Sequence, residues 1–288
     1  ATLGGEHLQY SFFSAFPSSK PDTESSQCLD YPRITSSQLP YVPAPIVPNI
    51  KVATMSAPAS APAPAPALDQ GPMTDEVLKG IFASDQDMYP APLTWDRLRS
   101  WTTAAPEMAT CFYLSADADG NSNAPTLIGA VIALPVLAPA WRDLLTGEIK
   151  EVDVDAGTMF PRAGDERSKV GLHVFHVERF NVPAARGKVR GFADISMRAV
   201  VAGAEKKGWS IIGYSALTAT PEGRRCFEKM GFEATGYEEF WVDDGHEGVE
   251  LVTITADSAP EEREVREAAT VRGHARMLAK HLHPVTNA

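Results

Sequence analysis

The stretch that decides the fold opens with Val182-Pro183-Ala184-Ala185-Arg186-Gly187-Lys188-Val189-Arg190-Gly191-Phe192-Ala193. An apolar run, Leu172 to Val182, precedes it and reads as a strand. A helical run follows to Lys207, with Ile195, Met197, Val200 and Val201 at its apolar positions. Strand, small-residue loop and helix start together present unpaired backbone N–H groups to an anion. The first four N–H groups of a helix have no partner within it, and its dipole favours negative charge there. A further strand, Trp209 to Leu217, leads to Thr220-Pro221-Glu222-Gly223-Arg224-Arg225-Cys226-Phe227-Glu228-Lys229-Met230-Gly231-Phe232.

Two of these segments carry a resemblance. Lys188 to Ala193 resembles the acyl-CoA-binding motif Q/R-x-x-G-x-G/A of the GNAT superfamily of N-acyltransferases, with Lys188 at the Q/R position, Gly191 at the first Gly and Ala193 at the last. Thr220 to Phe232 resembles the family's N-x-x-A-x-x-x-Y-x-K-x-G-F. Lys229, Gly231 and Phe232 agree, whereas Thr220, Gly223 and Phe227 replace Asn, Ala and Tyr. The resemblance covers residues 73 to 256. It implies an α/β (α+β) fold with a mixed, splayed β-sheet flanked by helices. It also implies acyl transfer from acetyl-CoA, the co-substrate, to an amine, with no metal. The implied cofactor contacts are Val182, Lys188, Val189, Arg190, Gly191, Phe192, Ala193 and Phe227.

Composition narrows the function. The 288 residues suffice for one sizeable domain or two small ones, and 44% are hydrophobic. A net charge of −11 disfavours an electrostatic grip on nucleic acid or an anionic membrane, and is compatible with a cationic or amine-bearing substrate. Small-molecule and peptide amines are both open as acceptors, and the sequence leaves the oligomeric state open. Cys28, Cys111 and Cys226 are odd in number and widely spaced, which suggests neither a disulfide framework nor a metal site. A reducing compartment, the cytoplasm or nucleus, is expected. The most apolar run, Leu127 to Leu137, is too short to span a membrane, and no signal or transit peptide is evident.

Working outward, three regions are expected. Residues 1–72 form a Pro/Ala/Ser-rich extension, disordered or docked on the surface. Its tract Ala61-Pro62-Ala63-Pro64-Ala65-Pro66 suits an extended spacer better than a ligand for a Pro-recognising module. Residues 73–256 form the acyltransferase domain. It begins with a helix from Thr74 to Phe82 and a second from Trp95, capped by Thr94. Strands Cys111 to Leu114 and Thr126 to Leu134 flank a turn at residues 116–121. A first strand is not evident before Thr74, and Ile46 to Met55 is a candidate. A short helix at Trp141 to Leu145 is followed by Glu148 to Asp155, whose alternation reads as an acidic edge strand. Residues 257–288 read as a charged, helix-prone tail, acidic at Glu261-Glu262 and basic at Arg272, Arg276 and Lys280.

Acyl transfer to an amine needs a base, stabilisation of an oxyanion and a proton for the leaving thiolate. Strand period two puts His176, Glu178, Phe180 and Val182 on one face and His173 and Arg179 on the other. His176 or Glu178 is the expected base; the alternative is a structural ion pair of Glu178 with Arg179 or Arg190 and a satisfied core histidine. Phe227 stands where many family members place a tyrosine acid. Water, Tyr214, Ser215 or Cys226 are then the proton sources, and Tyr214 is the leading side chain. Two further readings stay open: a GNAT-like interaction module that binds CoA weakly, and an O-acyltransferase.

Overall fold

The computed structural model describes residues 68–88, 93–115, 125–186, 188–243, 248–259 and 270–282. The chain divides into two units, residues 1–64 and 65–288, and all described residues belong to the second. The Pro/Ala tract, Ile46 to Met55 and the turn at 116–121 lie outside them.

One eight-stranded sheet organises the second unit, in the order β1-β2-β3-β4-β5-β8-β6-β7. Strands β1 (Leu68–Pro72), β2 (Ala109–Leu114), β3 (Thr126–Leu137) and β4 (Lys169–Arg179) pair antiparallel in sequence order. β4 and β5 (Ser210–Thr218) are parallel, and β8 (Val271–His281) lies antiparallel between β5 and β6 (Glu233–Asp243). β7 (Val249–Ile254) forms the far edge. The sheet is therefore mixed, as the resemblance implies.

The β4–β5 ladder decides the architecture. It runs from Lys169↔Ser210 to His173↔Ser215 and stops, although β4 continues to Arg179 and β5 to Thr218. The strands splay beyond that pair. Backbone groups on the facing edges there are left for another molecule to satisfy.

Two expectations about the sheet are corrected. The first strand lies directly before Thr74, at Leu68–Pro72. Its Gly71 and Pro72 hide it in the sequence, and both are tolerable because β1 is an edge strand. The expected tail helix is overturned over Val271–His281, which is the interior strand β8. Ala275, Met277, Leu278 and Ala279 of β8 are buried. Helix-forming residues are overridden here by ladders on both sides, since propensity amounts to about 1 kcal/mol.

Helices cover the two faces. α1 (Asp75–Met88) starts with the Thr74 hydroxyl accepting from Val77 N–H at 3.2 Å, and runs past the expected end at Phe82. α2 (Trp95–Ala104) is capped by Thr94, as read from the sequence. α3 (Ala138–Thr146) carries Trp141, which is fully buried. A Cβ on Gly171 or Gly213 would overlap the Trp141 indole, so both strands need glycine for it to lie flat. Burying a ring of this size contributes at most about 5 kcal/mol of transfer free energy. After α3 the expected edge strand Glu148 to Asp155 is absent. A 3₁₀ turn, Glu151–Asp153, and α4 (Ala156–Met159) stand there instead. The alternation misled because Glu151 turns inward and the Val154 carbonyl accepts from the Trp101 indole N–H at 2.7 Å. α5 (Phe192–Lys206) and α6 (Pro221–Lys229) lie where the motifs placed them.

Candidate functional site

The loop after β4 closes with a 3₁₀ turn, Pro183–Ala185, and reaches α5 through Gly191. Gly191 has φ +64°, a left-handed conformation that favours glycine. It turns the backbone so that the N–H groups from Val189 to Asp194 carry no backbone hydrogen bond among the described residues. Phe192 anchors this turn by burying its ring edge-on against Phe112, with centroids 5.2 Å apart, over Gly129.

Beside the turn lies a cavity of about 1120 Å³. Val177 and Arg179 of β4, Gly191 of the turn, Phe192 to Asp194 of α5, Tyr214 of β5 and Phe227 of α6 help to line it. Arg198, Lys229 and Lys280 add positive charge to the wall, and Asp194, Glu205 and Glu222 negative charge. Unpaired N–H groups, a helix N-terminus and nearby cations fit a pyrophosphate and a further phosphate group. α6 is aimed at this cavity by its Thr220 cap, whose hydroxyl accepts from Gly223 N–H at 3.0 Å.

The other face of β4 carries the titratable groups. His176 is 8% exposed, with Nδ1 3.5 Å from Asp85 Oδ1 and Nε2 3.3 Å from Glu178 Oε2. Burial pushes the imidazole pKa down, but the two carboxylates outweigh it and hold the ring at about 9. A pKa raised in this way favours the protonated ring at neutral pH and so favours a carboxylate over the imidazole as the proton acceptor. The two residues named as alternatives lie within one ion pair.

A bulge makes a second correction. Ile132 pairs with His176 and Ala133 with Val174, so Phe175 is an extra residue in β4. His173, opposite Leu134, then shares the face of His176 rather than lying behind it. His173 is fully buried. The Trp141 indole N–H donates to Ser215 Oγ at 2.8 Å, Ser215 Oγ lies 2.9 Å from His173 Nδ1, and His173 Nε2 lies 2.5 Å from Glu151 Oε2. Trp141 can only donate, so Ser215 donates onward to His173 Nδ1, whose Nε2–H donates to Glu151. This chain closes the splay at its last paired residues. With Ser215 fully buried and committed to two partners, it is not an exposed nucleophile or acid.

The remaining expected residues separate. Tyr214 is half-buried on the cavity wall; burial and Glu205 both raise its hydroxyl pKa, so it keeps its proton at neutral pH. Gly191, Phe192, Ala193 and Phe227 line the cavity, whereas Val182, Lys188, Val189 and Arg190 do not. Val189 is buried and its carbonyl accepts from Arg179 at 3.3 Å, while Lys188 and Arg190 are exposed. Cys226 also lines the cavity, with its thiol pKa raised by burial. Among the described residues no cluster of side chains could hold a metal ion.

A mixed sheet splayed after its parallel pair, with a helix N-terminus beside the opening, is the GNAT fold. The chain's own strand order and loop carry that assignment. No protein-family model matches the chain, and no curated protein matches it. Among solved structures, NAA60 of Arabidopsis thaliana in complex with a bisubstrate analogue is 12% identical, with a TM-score of 0.42 over 75% of this chain and 100% of that one. A mosquito arylalkylamine N-acetyltransferase, like 5b, is 14% identical, with a TM-score of 0.40 over 75% and 100%. The ribosomal-protein-S18-alanine N-acetyltransferase of Escherichia coli is 10% identical, with a TM-score of 0.37 over 77% and 99%.

Proposed function

We propose that this protein is an acyl-CoA-dependent N-acyltransferase that transfers acetyl from acetyl-CoA to an amine. The observation that carries the reading is the coincidence of two openings on one cavity. The β4 edge loses its β5 partner after His173, and the unpaired N–H groups start at Val189. The first suits the amide-bearing arm of CoA, and the second suits its pyrophosphate.

The chemistry follows from which face each residue occupies. The amine approaches from the face of His176 and Glu178 and loses a proton to a carboxylate there. Its nitrogen forms the new bond to the thioester carbonyl carbon, and the carbon–sulfur bond breaks. Tyr214, on the cavity side, gives its proton to the departing thiolate. The His176 imidazolium keeps Glu178 in place and limits the negative charge near the reacting amine. The expected result with acetyl-CoA and a panel of primary amines is time-dependent release of free CoA thiol with matching N-acetyl product. Hydrolysis alone, or transfer only to alcohols, contradicts the reading.

A further inference from the structure

A second, small chamber of about 60 Å³ lies where β4 and β5 part. Phe175 and Leu217, each two residues past the last β4–β5 pair, form its strand walls. Three carboxylates line it from three different elements: Asp85 of α1, Glu151 of the 3₁₀ turn and Glu239 of β6. Asp85 is 8% exposed, and its Oδ2 is buried with no hydrogen-bond partner among the described residues. Glu151 is held from behind by His173, and Glu239 by the Tyr237 hydroxyl at 2.6 Å. Lys150 lines the same chamber and offsets one of the three charges.

We propose that this chamber receives the head of an unbranched primary ammonium, R–CH2–NH3⁺, and so selects the acyl acceptor; this rests on the transferase reading above. A primary ammonium has three N–H donors, and three carboxylates face the chamber. The space is small, with room for a few water-sized groups at about 10–15 Å³ each, so it suits an ammonium and its first carbon better than a head branched at that carbon. An α-amino acid would add both a branch and a carboxylate, which the surrounding negative charge repels. The rest of the acceptor lies against Trp241 and Leu251 at the chamber wall, an apolar and aromatic surface.

The electrostatics suit a cation at this place. Burial raises the Glu239 carboxyl to about 7, and Glu151 adds to the rise. Burial likewise raises Glu151, His173 opposes this, and Asp85 adds to it. Glu151 thus feels Asp85, and Glu239 feels Glu151, across the chamber, and a cation among them relieves that repulsion. The ammonium gives up one proton to a chamber carboxylate before attack, so charge and protons balance within the site.

Both a free alkylamine and a lysine side chain present this head. The test measures amine binding and acetyl transfer with phenethylamine, Nα-acetyl-lysine amide, α-methylphenethylamine and phenylalanine. The unbranched pair should exceed the branched amine at least tenfold in kcat/KM, and phenylalanine should be inert. Whichever of the first two is better identifies the source. Glu239→Gln keeps the Tyr237 hydrogen bond and should raise the amine KM at least tenfold with the acetyl-CoA KM unchanged. Asp85→Asn, a second variant on a different element, should do the same. Preference for branched amines or α-amino acids, or an unchanged amine KM in a folded Glu239→Gln, overturns the proposal. Calorimetric titration with acetyl-CoA alone separates the two levels. If acetyl-CoA does not bind, the transferase reading fails, and phenethylamine binding lost in Glu239→Gln still decides the chamber.

Discussion

Asp85→Asn should bring the raised pKa of His176 back toward neutrality. In the native protein, burial alone pushes the ring toward neutrality, and Asp85 and Glu178 reverse this to reach about 9. A rise from 6.5 to about 9 corresponds to about 3.5 kcal/mol in favour of the charged ring, at about 1.4 kcal/mol per unit. Glu178 has a side chain 33% exposed, so solvent screens its share, whereas Asp85 is 11% exposed and carries most of the effect. The substitution should therefore lower the His176 pKa by more than one unit. Linkage fixes the pH window. A pKa raised by folding gives stability that is fully present below about 6.5 and lost as pH rises through about 9. Asp85→Asn should cost about 1–3 kcal/mol at pH 6 and little at pH 9.5. There the native chain instead holds Asp85 near Glu151 without its counter-ion. Urea denaturation at the two pH values, with an NMR titration of the imidazole nitrogens, reads both quantities. A native His176 that titrates between 6 and 7, or an equal cost at both pH values, would refute the reasoning.

The other expectations are direct. Deleting residues 270–288 removes an interior strand and should abolish cooperative unfolding by circular dichroism; a retained sharp transition contradicts the placement of β8. Deleting residues 1–66 should leave the melting temperature nearly unchanged, whereas deleting 1–73 also removes β1 and should lower it by several degrees. Trp141→Phe takes the indole donor from Ser215 and leaves a gap beside it, which should cost about 1–3 kcal/mol in urea denaturation.

How much was legible in the sequence depended on how local the cause was. β4, the Gly191 turn, α5, β5 and α6 were readable because each rests on neighbouring residues: Gly191 for its positive φ, Thr220 and Pro221 for a helix start, and apolar runs for buried strands. β8 was not, because Val271 to His281 has helix-forming residues and becomes a strand only between β5 and β6. α1 was read too short since Ser84-Asp85-Gln86 is polar, although Asp85 is buried against His176. Glu151 showed only as part of an acidic alternation read as an edge strand, and Glu239 gave no signal. They lie 66 and 154 residues beyond Asp85, and only the sheet brings the three together. Strand alternation also failed at one residue, Phe175, and that bulge alone moved His173 onto the site face.

Calorimetric titration of the whole chain with acetyl-CoA tests the central claim most directly. The account predicts saturable binding at one site, with a dissociation constant in the micromolar to millimolar range usual for enzyme substrates. It also predicts loss of that binding in Gly191→Glu, where a carboxylate on the left-handed turn would repel the pyrophosphate and strain the backbone. Absence of binding at millimolar acetyl-CoA, or wild-type affinity in Gly191→Glu, would contradict it.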